Sequence, residues 1–275
     1  MSSAQRPLRA RSRVGKYRVQ GLISEGGFAR VYRAHDTIED LPVALKVPTE
    51  HPLSKESLSD LQREIRLNAR LEHPNVLPIR NADLIDGRLI IAYPLGVESL
   101  ADRMTRRLGL PRVLDFGEQL LEALAHAHER RIAHCDVKPD NIILFKGNRL
   151  RLGDFGLARI ALKTVVASGS GTLGYMAPEQ AMGRPSVRSD VFAVGLILYR
   201  LFTGRLPEWP FEWPLAGHGA LERKATPGMI ALIRRSLRVN QHRRFTDAQE
   251  MLARYRRLLP AARRRVPQRT LRRRK

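Results

Sequence analysis

The chain has 275 residues, 43 % hydrophobic and 28 % charged. That is enough to bury one large core or two smaller ones, and too balanced for a disordered or fibrous protein. One cysteine, Cys135, excludes an intrachain disulfide, and the longest apolar candidate, residues 191–202, falls short of the ~20 residues that cross a bilayer. The formal charge is +22, and thirteen of the positive charges stand at two acid-free ends. Residues 1–16 hold Arg6, Arg9, Arg11, Arg13 and Lys16; residues 260–275 hold Arg263, Arg264, Arg265, Arg269, Arg272, Arg273, Arg274 and Lys275. Poor in large apolar side chains, both ends read as disordered basic arms. They are either solvated without a specific partner or electrostatic arms for acidic proteins, nucleic acid or anionic lipid. Residues 1–16 have no apolar stretch after their charges, so they are not read as a secretory signal. The expectation is a soluble cytoplasmic protein.

In chain order, short strands are expected at residues 17–22, 30–34 and 43–47, broken by a Gly-rich turn. Leu58, Leu61, Ile65 and Leu71 recur at helical spacing, and His73-Pro74-Asn75 closes that helix. Strands at 76–80 and 88–93 follow, with Asp86-Gly87 as a hairpin turn. A hinge is placed near 93–98. Beyond it, residues 113–130 carry an apolar helical face. Ser189-Asp190 can cap a further helix that ends at Gly204 and is apolar nearly all round, hence central and buried.

Three segments carry chemistry. Ser24-Glu25-Gly26-Gly27-Phe28-Ala29-Arg30-Val31 is a Gly-rich turn whose backbone N–H groups can approach phosphate oxygens, although most such turns are plain hairpins. Val43-Ala44-Leu45-Lys46 ends a strand on a lysine that can point at phosphates, and Glu64 on the next helix can pair with it; each has an ordinary surface reading when taken alone. The segment His134-Cys135-Asp136-Val137-Lys138-Pro139-Asp140-Asn141 decides between the readings. Asp136 can accept a hydroxyl proton, Lys138 can neutralise a transferring group, and Asn141 can ligate Mg2+. Asp154-Phe155-Gly156 adds a second carboxylate for the ion.

With these motifs in this order, residues 17–259 resemble the eukaryotic-like serine/threonine protein kinases, most closely the bacterial ones. The resemblance extends to Ala177-Pro178-Glu179 at the end of an activation segment. It also covers His134, Asp190 and Arg244 as structural supports, Arg244 being the expected partner of Glu179. It implies an α+β, two-lobed fold: a small lobe over 17–95 with an antiparallel sheet and one helix, and a larger helical lobe over 96–259. It implies ATP with Mg2+, or Mn2+ in its place, and protein substrates. The implied catalytic residues are Asp136, Lys138, Lys46 and Glu64, and the metal ligands Asn141 and Asp154. ATP contacts fall to Ser24, Glu25, Gly26, Gly27, Phe28, Ala29, Val31, Ala44, Lys46, Tyr93, Leu95 and Ile143, with Ala92 at the back of the adenine pocket. Within the activation segment, Asp154, Phe155, Gly156, Thr164, Ser168, Ser170 and Thr172 precede Ala177-Pro178-Glu179.

The chain departs from the family pattern in three places. Ser24 and Ala29 stand where the Gly-rich loop has glycines, which φ < 0 permits. Cys135 replaces the arginine that precedes the catalytic aspartate and clamps a loop phosphate, leaving only Arg159 and Lys163 as local cations. Asn68 stands where an apolar residue would stack on Phe155, and a buried amide without a partner costs about 1–3 kcal/mol. Two other readings remain: a pseudokinase scaffold, which would ordinarily lack one of Lys46, Asp136 or Asp154, and a small-molecule phosphotransferase, against which Lys138 and Ala177-Pro178-Glu179 speak.

Overall fold

The computed structural model describes residues 7–27, 29–49, 55–155 and 173–265. The chain forms two compact units and passes from the first to the second between Val97 and Glu98; residues 73–76 belong to the second.

The first unit is a six-stranded antiparallel sheet with one helix. Its strands are β1 (Arg13–Val14), β2 (Tyr17–Glu25), β3 (Ala29–Asp36), β4 (Leu41–Pro48), β5 (Asn81–Ile85) and β6 (Arg88–Pro94), in the order β1-β2-β3-β4-β6-β5, with α1 at Lys55–Asn68. Side chains alternate across a strand, and β4 shows the consequence. Val43, Leu45 and Val47 enter the core with Tyr17, Val19, Tyr32, Ala34, Ile90 and Ala92, whereas Ala44 and Lys46 point to the other face. Asp86 and Gly87, with φ of 51° and 73°, make the expected tight hairpin between β5 and β6.

The strand expected at 76–80 is not there, because that backbone has other partners. Val76 bridges to Leu152 and the Asn75 carbonyl accepts from the Leu152 N–H. The Ile79 N–H donates to Asn68 Oδ1, so apart from Arg80, whose N–H donates to the Ala92 carbonyl, pairing with β6 falls to residues 81–85. This also answers the question of Asn68. Its amide is buried but donates to the Leu77 carbonyl at 3.1 Å and accepts from Ile79 at 3.2 Å.

The second unit holds a small sheet, β7 (Glu98–Ser99), β8 (Ile142–Phe145) and β9 (Arg149–Leu152), and the helices α2 (Leu100–Met104), α3 (Leu110–Glu129), α4 (Pro178–Ala181), α5 (Val187–Thr203), α6 (His218–Lys224), α7 (Pro227–Ser236) and α8 (Ala248–Arg264). Thirteen of the seventeen residues of α5 are buried, which makes it the central helix, as its all-round apolar sequence requires. It can be central only because Gly195 has no Cβ; a methyl group there would overlap Ser236 Oγ. Its N-cap is Ser186, not Ser189: Ser186 Oγ accepts from Arg188 N–H while Ser189 Oγ accepts from Ser186 N–H. Gly204 ends the helix in the left-handed region, as expected. None of the described helices is long and apolar enough to cross a membrane.

Glu179 on α4 and Arg244 form a buried bidentate pair, with Nη1–Oε1 at 2.7 Å and Nη2–Oε2 at 2.8 Å. The other three guanidinium hydrogens go to the carbonyls of Arg188, Arg238 and Val239, so all five donors are used. Burial alone would push the Glu179 carboxyl up; hydrogen bonds from Arg244 and Ser189 outweigh it and hold the group below its usual range.

The inner parts of both basic ends are folded, contrary to the disordered arms expected. Val14 is 6 % exposed, Leu8 packs on the core of the first unit, and Arg11 N–H donates to the Val19 carbonyl. At the other end α8 runs through Arg264, with Ala262 buried. Arg256 pairs with Glu118 and Glu122 of α3, and Arg263 with Asp115 and Glu118. A few apolar side chains spaced among the arginines were enough to anchor each stretch.

Two outcomes follow. Deleting residues 1–16 rather than 1–6 removes the burial of Val14, about 2 kcal/mol, and lowers Tm by about 4–8 °C in calorimetry; equal Tm values would mean the arm adds nothing. Arg244→Met leaves a buried carboxylate without its partner, costing about 3–5 kcal/mol, and the Glu179→Gln/Arg244→Met pair is less destabilised than Arg244→Met alone. Since the folded Glu179 carboxyl lies below its ordinary value of 4.5, the pair's stability is complete above that pH and is lost as the pH falls below it. In Glu179→Gln that acid-side loss is reduced, as melting from pH 6 to 3 measures.

Candidate active site

The loop 134–141 is fixed by a buried anion. Asp190, on the first turn of α5 and 1 % exposed, accepts from the backbone N–H groups of His134 (2.8 Å) and Cys135 (2.7 Å). A third hydrogen bond joins it to His128 Nε2 at 2.9 Å. The other nitrogen of His128 accepts from Ala248 N–H, so Nε2 carries the proton and donates to Asp190. Cys135 is held at φ 60°, a conformation that a side chain other than glycine rarely takes, with its carbonyl accepting from Gln180 Nε2 at 2.8 Å. Its thiol is buried and pushed well up by that burial, then by the Asp190 and Asp136 carboxylates.

His134 joins this loop to the Asp154–Phe155 segment. Its Nδ1 accepts from Asp136 N–H, leaving Nε2–H to donate to the Gly153 carbonyl at 2.8 Å. Its ring lies 4.5 Å from that of Phe155, which is fully buried. Lys138 Nζ lies 2.9 Å from Asp136 Oδ2, and both side chains are partly exposed. Asn141 spends its amide N–H groups on Asp136, on the carbonyl and on Oδ2, both at 2.9 Å. Its backbone carbonyl accepts from Gly153 N–H at 2.9 Å, which brings residue 154 next to it. Asp154 has φ 61°.

The residues fit a hard divalent cation. With both Asn141 N–H groups committed to Asp136, Oδ1 is the face of that amide left for a ligand, and the adjacent Asp154 supplies a carboxylate. An amide oxygen plus a carboxylate is the donor chemistry Mg2+ takes when phosphates and water complete its shell. Among the described residues no group of three or more His, Cys, Asp or Glu side chains is gathered as an all-protein site.

In the first unit, the sheet puts several expected ATP contacts on one face. Cross-strand partners share a face, and Lys46 stands opposite Val31 on one side and Ile91 on the other, while Ala44 stands opposite Tyr93. Ala92 pairs with Leu45 and lies in the core of the first unit, while Ile91 and Tyr93 of β6 share the Lys46 face. Ser24 pairs with Val31 and Glu25 with Arg30, to which Glu25 is also ion-paired at 2.7 Å. Gly26 N–H closes the turn on the Ala29 carbonyl. Gly27 offers its carbonyl to Thr49, and neither Ser24 nor Ala29 takes a positive φ. Leu95 follows β6, and Ile143 lies in β8 between the buried Ile142 and Leu144, pointing away from both. Glu64 is on α1; its side chain, Phe28, and Gly156, Thr164, Ser168, Ser170 and Thr172 lie outside the described residues, as do Arg159 and Lys163. Ala177 precedes α4, which Pro178 and Glu179 begin.

Sequence reasoning missed His128 and Gln180, which hold Asp190 and Cys135. Neither position carries a signal of its own: one is a histidine on a helix, the other a glutamine after a motif.

The protein kinase domain family model matches residues 17–255. The chain is 33 % identical over 202 residues to the serine/threonine-protein kinase PrkC of Bacillus subtilis, covering 70 % of this chain and 31 % of that protein. It is 34 % identical to PksC of Streptomyces coelicolor, covering 86 % and 48 %, and 34 % identical to PknE of Mycobacterium tuberculosis, covering 87 % and 45 %. It thus spans about a third to a half of the length of these relatives. The crystal structure of the Mycobacterium tuberculosis PknI kinase domain superposes with a TM-score of 0.67 at 27 % identity, covering 94 % of this chain and all of that one. The motifs, the two-unit α+β architecture and these likenesses agree, and the chain belongs to the protein kinase family, where it is similar to the eukaryotic-like serine/threonine kinases found in bacteria.

Proposed function

We propose that the chain transfers the γ-phosphoryl group of ATP to serine or threonine hydroxyls of protein substrates, from a kinase domain over residues 17–259. The observation that carries this reading is Asp136, a carboxylate held between the Lys138 ammonium and the Asn141 amide on a loop locked by Asp190. Asp136 orients the attacking hydroxyl and accepts its proton. Lys138 adds positive charge where the phosphoryl group passes. Asn141 Oδ1 and the Asp154 carboxylate would hold Mg2+, or Mn2+, which supplies neutralisation of the phosphate oxygens. Lys46, oriented by Glu64, holds the α- and β-phosphates, and the backbone of residues 24–29 covers them. Positioning and charge, rather than covalent help, are what this reaction demands.

The same loop bears on regulation. A phosphate on the activation segment would find at position 135 a buried neutral thiol in place of a guanidinium. The enzyme is therefore active without phosphate on that segment.

Asp136→Asn is expected to lose at least about a hundredfold in kcat, and Lys46→Met about a hundredfold or more in kcat/KM, roughly 2.7 kcal/mol, with melting temperatures near that of the parent. Radiolabelled ATP with a generic protein substrate and, separately, an aminoglycoside reads both rates; turnover surviving in Asp136→Asn removes it from the reaction, and labelling of the aminoglycoside alone points to a small-molecule phosphotransferase. A phosphatase-stripped sample should give a linear progress curve from time zero. A lag abolished by pre-incubation with ATP would show that a loop phosphate is needed after all.

A further inference from the structure

Beside the catalytic loop the second unit gathers cations without enough acids to match them. Helix α2 packs against the Pro139–Asn141 turn, so the chain leaving α2 emerges from the neighbourhood of Asp136. Arg103 is on α2 itself, Arg106 and Arg107 are on the chain leaving it, and Arg112 is in the first turn of α3. Arg223 and Lys224 at the end of α6 join them: Lys224 is repelled by Arg107 and Arg223, as Arg103 is by Arg106 and Arg112. Burial first, and then these like charges, hold both Arg103 and Lys224 below their usual values. One nearby acid, Asp140 on the turn itself, is exposed and in no ion pair among the described residues; the others are occupied. Glu98 pairs with Arg106, Asp102 accepts from the backbone and hydroxyl of Ser99 in the cap of α2, and Glu222 lies 3.5 Å from His218. Among the described residues Arg107, Arg112 and Arg223 have no acidic partner, and all three are exposed. Like charges fixed at close range destabilise a fold and focus a positive field that an incoming anion relieves.

We propose that this surface selects the substrate: Arg107, Arg112 and Arg223, backed by Arg103 and Lys224, take the acidic side chains flanking the phosphoacceptor, so the substrates are acidic peptide segments. The inference rests on the kinase reading above and adds the substrate class to it. A peptide fits better than a nucleic acid, because neither 98–112 nor 219–225 contains a Phe, Tyr or Trp on which bases could stack.

The test uses the full chain and a variant, Arg107→Ala/Arg112→Ala/Arg223→Ala, that leaves the catalytic loop intact. Threonine peptides flanked by Asp/Glu, by Ala or by Lys are compared by kcat/KM at low and high salt. The parent should favour the acidic peptide over the alanine one by about tenfold at low salt, mainly through KM, and less at 0.5 M salt. The variant should treat the two peptides within about twofold, while phosphorylating the alanine peptide at the parent rate. Equal or better use of the lysine peptide by the parent, or an unchanged acidic preference in the variant, overturns the proposal. Fluorescence anisotropy with a labelled acidic peptide and no ATP separates the two readings: binding lost in the variant supports the surface even if no peptide is phosphorylated, a result that would sink the kinase reading alone. No binding by the parent, or tighter binding of an oligonucleotide of equal charge, overturns the surface as a peptide site.

Discussion

The Asp190 carboxylate is the interaction on which the loop 134–141 depends. A buried charge is costly unless its oxygens are met by donors, and here three N–H groups meet them, two from the backbone at 134 and 135 and one from His128. Those two backbone bonds fix successive peptide planes, and they make the left-handed Cys135 tolerable. Downstream of Cys135, the direction of the chain at Asp136 is set. The anchoring passes outward through His128, whose second nitrogen accepts from the first residue of α8, so a helix more than a hundred residues away in sequence takes part in holding the loop.

A second anchor starts one residue earlier on α5. Ser189 Oγ donates to Glu179 Oε1, and Glu179 is closed by the fully used guanidinium of Arg244. The N-terminal turn of α5 thus holds the loop 134–141 through Asp190 and the start of α4 through Ser189. Gln180 connects the two, reaching the Cys135 carbonyl from α4. A central helix with a Gly195 contact and thirteen buried residues gives these polar groups a rigid base. Neither anchor would hold position on a surface helix free to fray.

What was legible in the sequence was what repeats or what stands in a fixed order. The apolar run at 43–47 marked the strand that ends on Lys46, and the all-apolar α5 announced its burial. The motif residues 134–141 and 154–155 came together because one backbone hydrogen bond, Gly153 to Asn141, is a local consequence of the β8–β9 hairpin. What stayed illegible depends on partners remote in the chain. Residues 76–80 have strand-like composition, but Leu152 and Asn68 take their backbone groups. Ser189 looks like a cap until Ser186 is seen to be free for that task three residues earlier. The placing of Ile91 and Tyr93 on the Lys46 face and Ala92 in the core required the strand register, since a one-residue slip exchanges the two faces.

Charge shows the same division between composition and place. A surplus of +22 suggests unstructured arms, yet much of it is drawn into the fold. Arg244 is a buried structural cation, and two of the arginines of α8, Arg256 and Arg263, bind the acids of α3 and so tie the two helices together. Cys135 is the complementary case, a cation that is missing. Its backbone N–H and C=O perform the anchoring through Asp190 and Gln180, and main-chain groups do this whatever side chain they carry. Replacing arginine by cysteine here therefore leaves the scaffold of the loop intact and removes only the positive charge that a phosphate would seek. The geometry of the loop is thus independent of the side-chain charge at this one position.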